Sequence, residues 1–265
     1  MPRRRRPSDT APALWRWAVA GLLLGLLPTL VLQAPAHWLA LAAQRASGGQ
    51  IVLAGAQGTL WDGSAQLQLT GGLGSSDALT LPGSVHWRLR PTWQGARAEL
   101  SADCCTPAPV RLSAALGWGS AHIRVENGQS HWPAALLAGL GTPWNTVQLQ
   151  GQLLLATTDL ALTWARGRTE VGGRLQLDLL GMSSRLSTLR PIGSYRVSLQ
   201  GGEATRLTLA TLDGALRLSG SGQWVGRRLR FTGEATAAPG SEAVLANLLN
   251  IIGRRSGARS VITIG

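Results

Sequence analysis

Lysine is absent from this chain: all 25 basic residues are arginine. A P-loop needs its lysine to reach the phosphates, and a Schiff-base enzyme needs an amine nucleophile, so both classes are excluded. Histidine is scarce. His37, His86, His122 and His131 stand apart from any H-E-x-x-H pattern, and His86 and His122 alternate with apolar neighbours as exposed strand residues do. The two cysteines, Cys104 and Cys105, are adjacent and have no partner at ligand spacing, which excludes a zinc site. The 13 acids are spread thinly, with no close carboxylate pair for glycosidase-type work. Neither a G-x-S-x-G elbow nor a G-x-G-x-x-G loop occurs. These absences argue against an enzyme and leave no residue set for a cofactor or a metal.

Charge is also sparse, at 14% of residues against 45% hydrophobic, which favours a folded chain over a disordered one. Aromatics other than tryptophan nearly vanish: 11 Trp stand against 1 Tyr and 1 Phe. Glycine, by contrast, is plentiful at 34, and glycines between short apolar stretches mark turns and hence β structure. A net charge of +12 raises the question of nucleic acid. However, Arg3, Arg4, Arg5, Arg6 and Arg16 precede an apolar segment, and the others are scattered singly. Nucleic acid is therefore not an expected partner.

The apolar segment is the clearest signal. An uncharged run from Trp17 to Leu32 holds Leu22, Leu23, Leu24, Leu26, Leu27, Leu30, Val31 and Leu32. Basic residues before it keep the N-terminus cytoplasmic and send the rest of the chain outward, which makes the lipid bilayer a partner. Trp15, Trp17 and Trp38 suit the two membrane interfaces. The run is short for a span of roughly 20 residues. Apolar character continues through Trp38, Leu39 and Leu41, so a tilted helix kinked at Pro28 reaches full thickness. The competing reading is a cleaved signal peptide, since Ala34-Pro35-Ala36 mimics a cleavage site. The expected organisation is a cytoplasmic tail over 1–16, an anchor and junction over 17–41, and an exported domain over 42–265, with halves at 45–130 and 147–265. In an oxidising compartment Cys104 and Cys105 have three fates: a vicinal disulfide, a pair between chains, or two thiols in a loop.

Beyond the anchor the pattern turns to period two. Gln66-Leu67-Gln68-Leu69, Val85-His86-Trp87-Arg88-Leu89-Arg90, His122-Ile123-Arg124-Val125, Tyr195-Arg196-Val197-Ser198-Leu199 and Arg206-Leu207-Thr208-Leu209 all alternate. This predicts a mainly β domain, an antiparallel meander with one apolar and one solvated face, and a few short helices. Asp213-Gly214 predicts a type I′ hairpin that pairs Leu209 with Leu218 and Thr211 with Leu216. One short helix is expected over 131–138. A longer one is expected from Ser241 as N-cap, with Val244, Leu245, Leu248, Leu249 and Ile252 on one stripe. Gly253 is then a left-handed C-cap, and Arg254 and Arg255 complement the negative helix end.

Three motifs carry a resemblance. The first is Gly58-Thr59-Leu60-Trp61-Asp62-Gly63, and the second is Leu140-Gly141-Thr142-Pro143-Trp144-Asn145. The third is Leu245-Ala246-Asn247-Leu248-Leu249-Asn250-Ile251-Ile252-Gly253-Arg254-Arg255, preceded by Leu212-Asp213-Gly214 and Phe231-Thr232-Gly233. In this order, over nearly the whole chain, they resemble the type II secretion system protein N family. The resemblance implies a non-catalytic accessory subunit of the inner membrane that supports export of folded periplasmic proteins. Its implied partners are the other components of the inner-membrane platform, and self-association stays open. More distantly, the exported part resembles the curved sheets of AsmA-like lipid-handling proteins, so the alternative is a lipid-binding or lipid-transfer protein. Within the family resemblance, Trp61 is either a packing residue or a partner contact.

Overall fold

The computed structural model describes residues 11–265 except 166, 203 and 227. Arg3 to Arg6 of the basic tail lie outside the described residues. Helix α1 spans Ala11–Leu32 and α2 spans His37–Ala46. Strands β1 to β8 come next at Ile51–Gly58, Asp62–Thr70, Ala78–Thr80, Val85–Thr92, Gly95–Ala102, Val110–Gly117, Ser120–Val125 and Gly128–Pro133. A 3-10 helix, Ala134–Leu140, and α3, Trp144–Val147, lead into β9 (Gln150–Ala165) and β10 (Arg168–Ser183). Then come β11 (Gly193–Gln200), β12 (Arg206–Gly214), β13 (Leu216–Val225) and β14 (Arg228–Ala237). Helix α4 (Glu242–Ile252), β15 (Arg254–Ser256) and β16 (Arg259–Ile264) close the chain.

All the strands belong to one antiparallel sheet of 16, ordered β1-β2-β4-β5-β6-β7-β9-β10-β11-β12-β13-β14-β16-β15, with β3 on β2 and β8 on β9. The expectation of a mainly β, antiparallel fold is met. The two faces differ as the alternation requires. Trp87 pairs with Leu100, Ala98 with Leu112, and Leu112 with Val125, so these side chains share one face. Arg88, Glu99 and Arg111 form a row on the other face. There Arg88 bonds Asp62 at 3.0 Å and Arg111 bonds Glu99 at 3.1 Å in exposed ion pairs, which contribute little to stability.

Helices cover much of the apolar face. Leu39 of α2 packs over Ala65, Leu53 and Trp87. Leu136 of the 3-10 helix covers Leu81, Ala102 and Cys105. Val147 of α3 and Leu245, Leu248 and Leu249 of α4 close over Leu153, Met182, Tyr195 and Leu216. Burying each such leucine contributes roughly 1.5–3 kcal/mol.

Four local expectations change. First, the chain does not continue helically to Leu41: α1 ends at Leu32, and a separate α2 packs on the sheet. Helix α1 itself begins earlier, at Ala11, and its apolar stretch Trp15–Leu32, 18 residues, reaches about 27 Å at about 1.5 Å each, close to a hydrocarbon core of about 30 Å. Second, the helix expected over 131–138 divides. His131 to Pro133 extend β8 along Trp132↔Leu153, and only Ala134–Leu140 is helical.

Third, the β12–β13 register is shifted by two residues: Leu209 faces Gly220, not Leu218, and Ala210 faces Ser219. The cause is Thr211, whose Oγ1 accepts from Leu218 N–H at 2.6 Å and donates to Leu218 O at 2.8 Å. The end of β12 meanwhile pairs with β11 through Gly193↔Gly214. An even shift leaves every side chain on its face, so Leu209, Leu216 and Leu218 still point to the core. Fourth, Gly253 is extended, at φ −164°, and is no left-handed cap. A side chain there would strike the Val261 carbonyl of β16. Arg254 and Arg255 accordingly lie outside the helix, exposed on β15. Ser241 makes no side-chain cap, and Val244 faces outward, 41% exposed, while Leu245, Leu248 and Leu249 are buried.

Candidate functional site

The first motif builds the junction between α1 and the sheet. Gly58 takes φ +84° to open the β1–β2 turn, and Thr59 closes it, its N–H donating to Asp62 O at 2.8 Å. The turn then grips the end of α1 through the backbone. Leu60 N–H donates to Ala34 O at 2.6 Å, Ala36 N–H donates to Gly58 O at 3.2 Å, and Pro35 bridges Thr59. The Trp61 indole N–H donates to Val31 O at 2.7 Å, satisfying a carbonyl of the last helical turn. From below, buried Trp87 donates its indole N–H to Leu60 O at 3.1 Å. Gly63 lies against the Trp87 ring, where a Cβ would collide. Trp61, partly exposed, clasps the helix to the sheet. Ala34 and Ala36 are each 2% exposed, so the Ala-Pro-Ala segment is built into the fold.

The second motif organises the opposite end. Gly141, at φ +79°, passes close to Gly71, and Asn145 donates to Asp77 Oδ2 at 2.8 Å, tying α3 to the β2–β3 loop. Pro143 opens α3, and Trp144 is 39% exposed. The third motif supplies the leucines of α4, while Asn247 and Asn250 face outward. Arg255 Nε donates to Gly257 O at 3.0 Å within the β15–β16 turn. The three motifs do not converge on one cleft. Each anchors a covering helix or the candidate membrane helix to the same sheet.

Cys104 and Cys105 are bonded to each other in the β5–β6 connection. Cys105 is buried against Leu81 and Leu136, and its carbonyl accepts from His131 N–H at 2.7 Å.

On the polar face, Asp178 is held by a bidentate Arg196, at 2.7 and 2.8 Å, with Gln176 as a further donor. The guanidinium hydrogen bonds hold the Asp178 carboxyl below its ordinary range and outweigh the opposing effect of burial. Burial pushes the Tyr195 phenol up, so it stays a neutral donor to Leu216 O. Two clefts, of ≈ 150 Å³ beside Pro109 and Asn127 and ≈ 200 Å³ beside Gln176 and Thr208, fall below the ~300–1,000 Å³ of ligand pockets. Among the described residues no cluster of three or more His, Cys, Asp or Glu could hold a metal.

The molecule is distinguished by a mechanical joint. Its 18-residue stretch Trp15–Leu32, of mean hydropathy 1.6 and with none of it packed inside the fold, is long and apolar enough to cross a membrane. That stretch is bonded through a glycine turn to the end of a single large sheet, which defines a β domain carried on one candidate membrane helix. The family model of type II secretion system (T2SS), protein N, matches residues 49–262, from the start of the sheet to its last strand. The chain belongs to that family. Neither a curated protein nor a solved structure matches it.

Proposed function

We propose that the protein is a non-catalytic subunit held in the bacterial inner membrane by α1, with its sheet in the periplasm, and that it supports export of folded proteins by binding its neighbours in the secretion machine. The family match over residues 49–262 carries this reading. The fold supports it: the helices seal much of the apolar face, and the clefts are too small for a sizeable substrate. The sheet also ends in two outer strands, β1 and β15, open to β-augmentation by a partner. The burial of Ala34 and Ala36 supports an anchor that is kept rather than cleaved.

One observation bears on the lipid-binding alternative. Leu116, Ile123 and Trp164 share the apolar face yet are 71%, 42% and 50% exposed, so part of that face is open. Exposed apolar surface is what a lipid carrier would need.

The two readings separate by crosslinking in intact cells. The chain offers no lysine to amine-reactive reagents, so a photoreactive residue at Arg111 or Gln176 is required. The proposal predicts adducts with inner-membrane components of the secretion machine. Adducts with unrelated proteins alone, or lipid retained by the purified protein together with normal secretion, would overturn it.

A further inference from the structure

We propose that one edge of the sheet lies on the membrane that holds α1, with tryptophan-tipped hairpins seated in its headgroup layer. The proposal rests on α1 as a membrane anchor and goes beyond the binding role above.

Strand direction defines the edge. Each neighbour on the sheet path is antiparallel to the next, so the turns β1–β2, β4–β5, β6–β7, β9–β10, β11–β12 and β13–β14 all fall at the same end of the strands. The first of them grips the end of α1 through Trp61 and Val31. The edge therefore begins at the exit point of the anchor.

Tryptophan concentrates there. Trp93 caps the β4–β5 turn and Trp118 the β6–β7 turn, each fully exposed at 105% and 106%. Trp164 and Trp224 sit next to the β9–β10 and β13–β14 turns, 50% and 39% exposed. At the opposite end, the short connections 103–109, 184–192 and 214–215 hold no tryptophan. Trp132 and Trp144 lie in the long connection between β7 and β9, where Trp132 packs against the core. A fully exposed indole in a turn packs against nothing, so Trp93 and Trp118 do not stabilise their own hairpins. An amphipathic ring on a projecting tip matches the preference of tryptophan for the membrane–water interface.

Charge agrees. Arg90, Arg97, Arg168, Arg228 and Arg230 are exposed on these same hairpins. None of them enters an ion pair among the described residues. Basic side chains beside interfacial aromatics are attracted to anionic phospholipid. The open apolar residues Leu116, Ile123 and Trp164 run from this edge into the apolar face, so membrane contact would cover surface that no helix covers.

The test uses the full chain in vesicles of phosphatidylethanolamine and phosphatidylglycerol, with part of the lipid brominated close to the headgroup. The fluorescence difference between the wild type and the double variant Trp93→Ser/Trp118→Ser isolates the two tips. Blue-shifted difference emission, mostly quenched by the brominated lipid, is expected. Unquenched emission typical of tryptophan in water would overturn the proposal. Alkaline extraction of the same vesicles distinguishes two kinds of failure. Release of the protein means that the anchor reading has failed, whereas retention with unquenched tips means that only the edge is misplaced. Benzophenone residues at positions 93 and 118 in cells give an independent readout. Adducts with phospholipid support membrane seating, and adducts with one protein overturn it in favour of a protein-docking edge.

Discussion

The indole N–H of Trp61 and the carbonyl of Val31, 30 residues apart in the chain, meet at 2.7 Å and join the candidate membrane helix to the sheet. The bond gives a helix-end carbonyl a second donor beside the Ala34 N–H, which lies at 3.3 Å. With the backbone bonds from Leu60 and Ala36, it makes the anchor and the domain one mechanical unit.

Trp61→Phe keeps an aromatic ring and removes the donor. It should destabilise the junction by about 1 kcal/mol, the net worth of one hydrogen bond. Hydrogen exchange should accelerate at Leu60 and Ala36, with β9 to β14 unchanged. Equal exchange at the junction in both proteins would mean that the clasp carries no load.

Gly214→Val should destabilise the domain by roughly 1–3 kcal/mol, because φ +122° is hostile to a branched side chain. A Cβ there would also strike the backbone of Gly193 and Ile192. The melting temperature reads the effect, and an unchanged value would contradict the Gly193↔Gly214 pairing.

Asp178 gives the pH dependence. Its carboxyl is held low in the folded state by Arg196. Its stabilising contribution is therefore fully present above the unfolded carboxylate value of about 3.9, and is lost as pH falls through the lower folded value. Asp178→Asn should lower the melting temperature at neutral pH and shrink the further loss on acidification below about pH 4. An acid limb as steep as that of the wild type would assign the effect to other carboxylates.

The faces of the sheet are legible in the sequence because period two survives any even shift. Leu209, Leu216 and Leu218 point to the core although the register differs by two residues. The register is not legible, because it depends on Thr211 taking both backbone bonds of Leu218. The leucine stripe of α4 announces the helix, but nothing local announces the role of Gly253. That role is close approach to Val261, a contact that the β15–β16 pairing creates through Arg254↔Val261. The clasp of Trp61 spans two elements and has no local pattern either. Trp93, Trp118, Trp164 and Trp224 have irregular spacing in the chain, and only the antiparallel strand order gathers them at one edge.

Deleting the gene, then restoring it, measures the central claim most directly. The account predicts that folded enzymes normally released to the medium accumulate in the periplasm, with synthesis unchanged, and that the intact gene restores release. Undiminished secretion, accompanied by altered outer-membrane lipid or permeability, would contradict it and favour the lipid carrier.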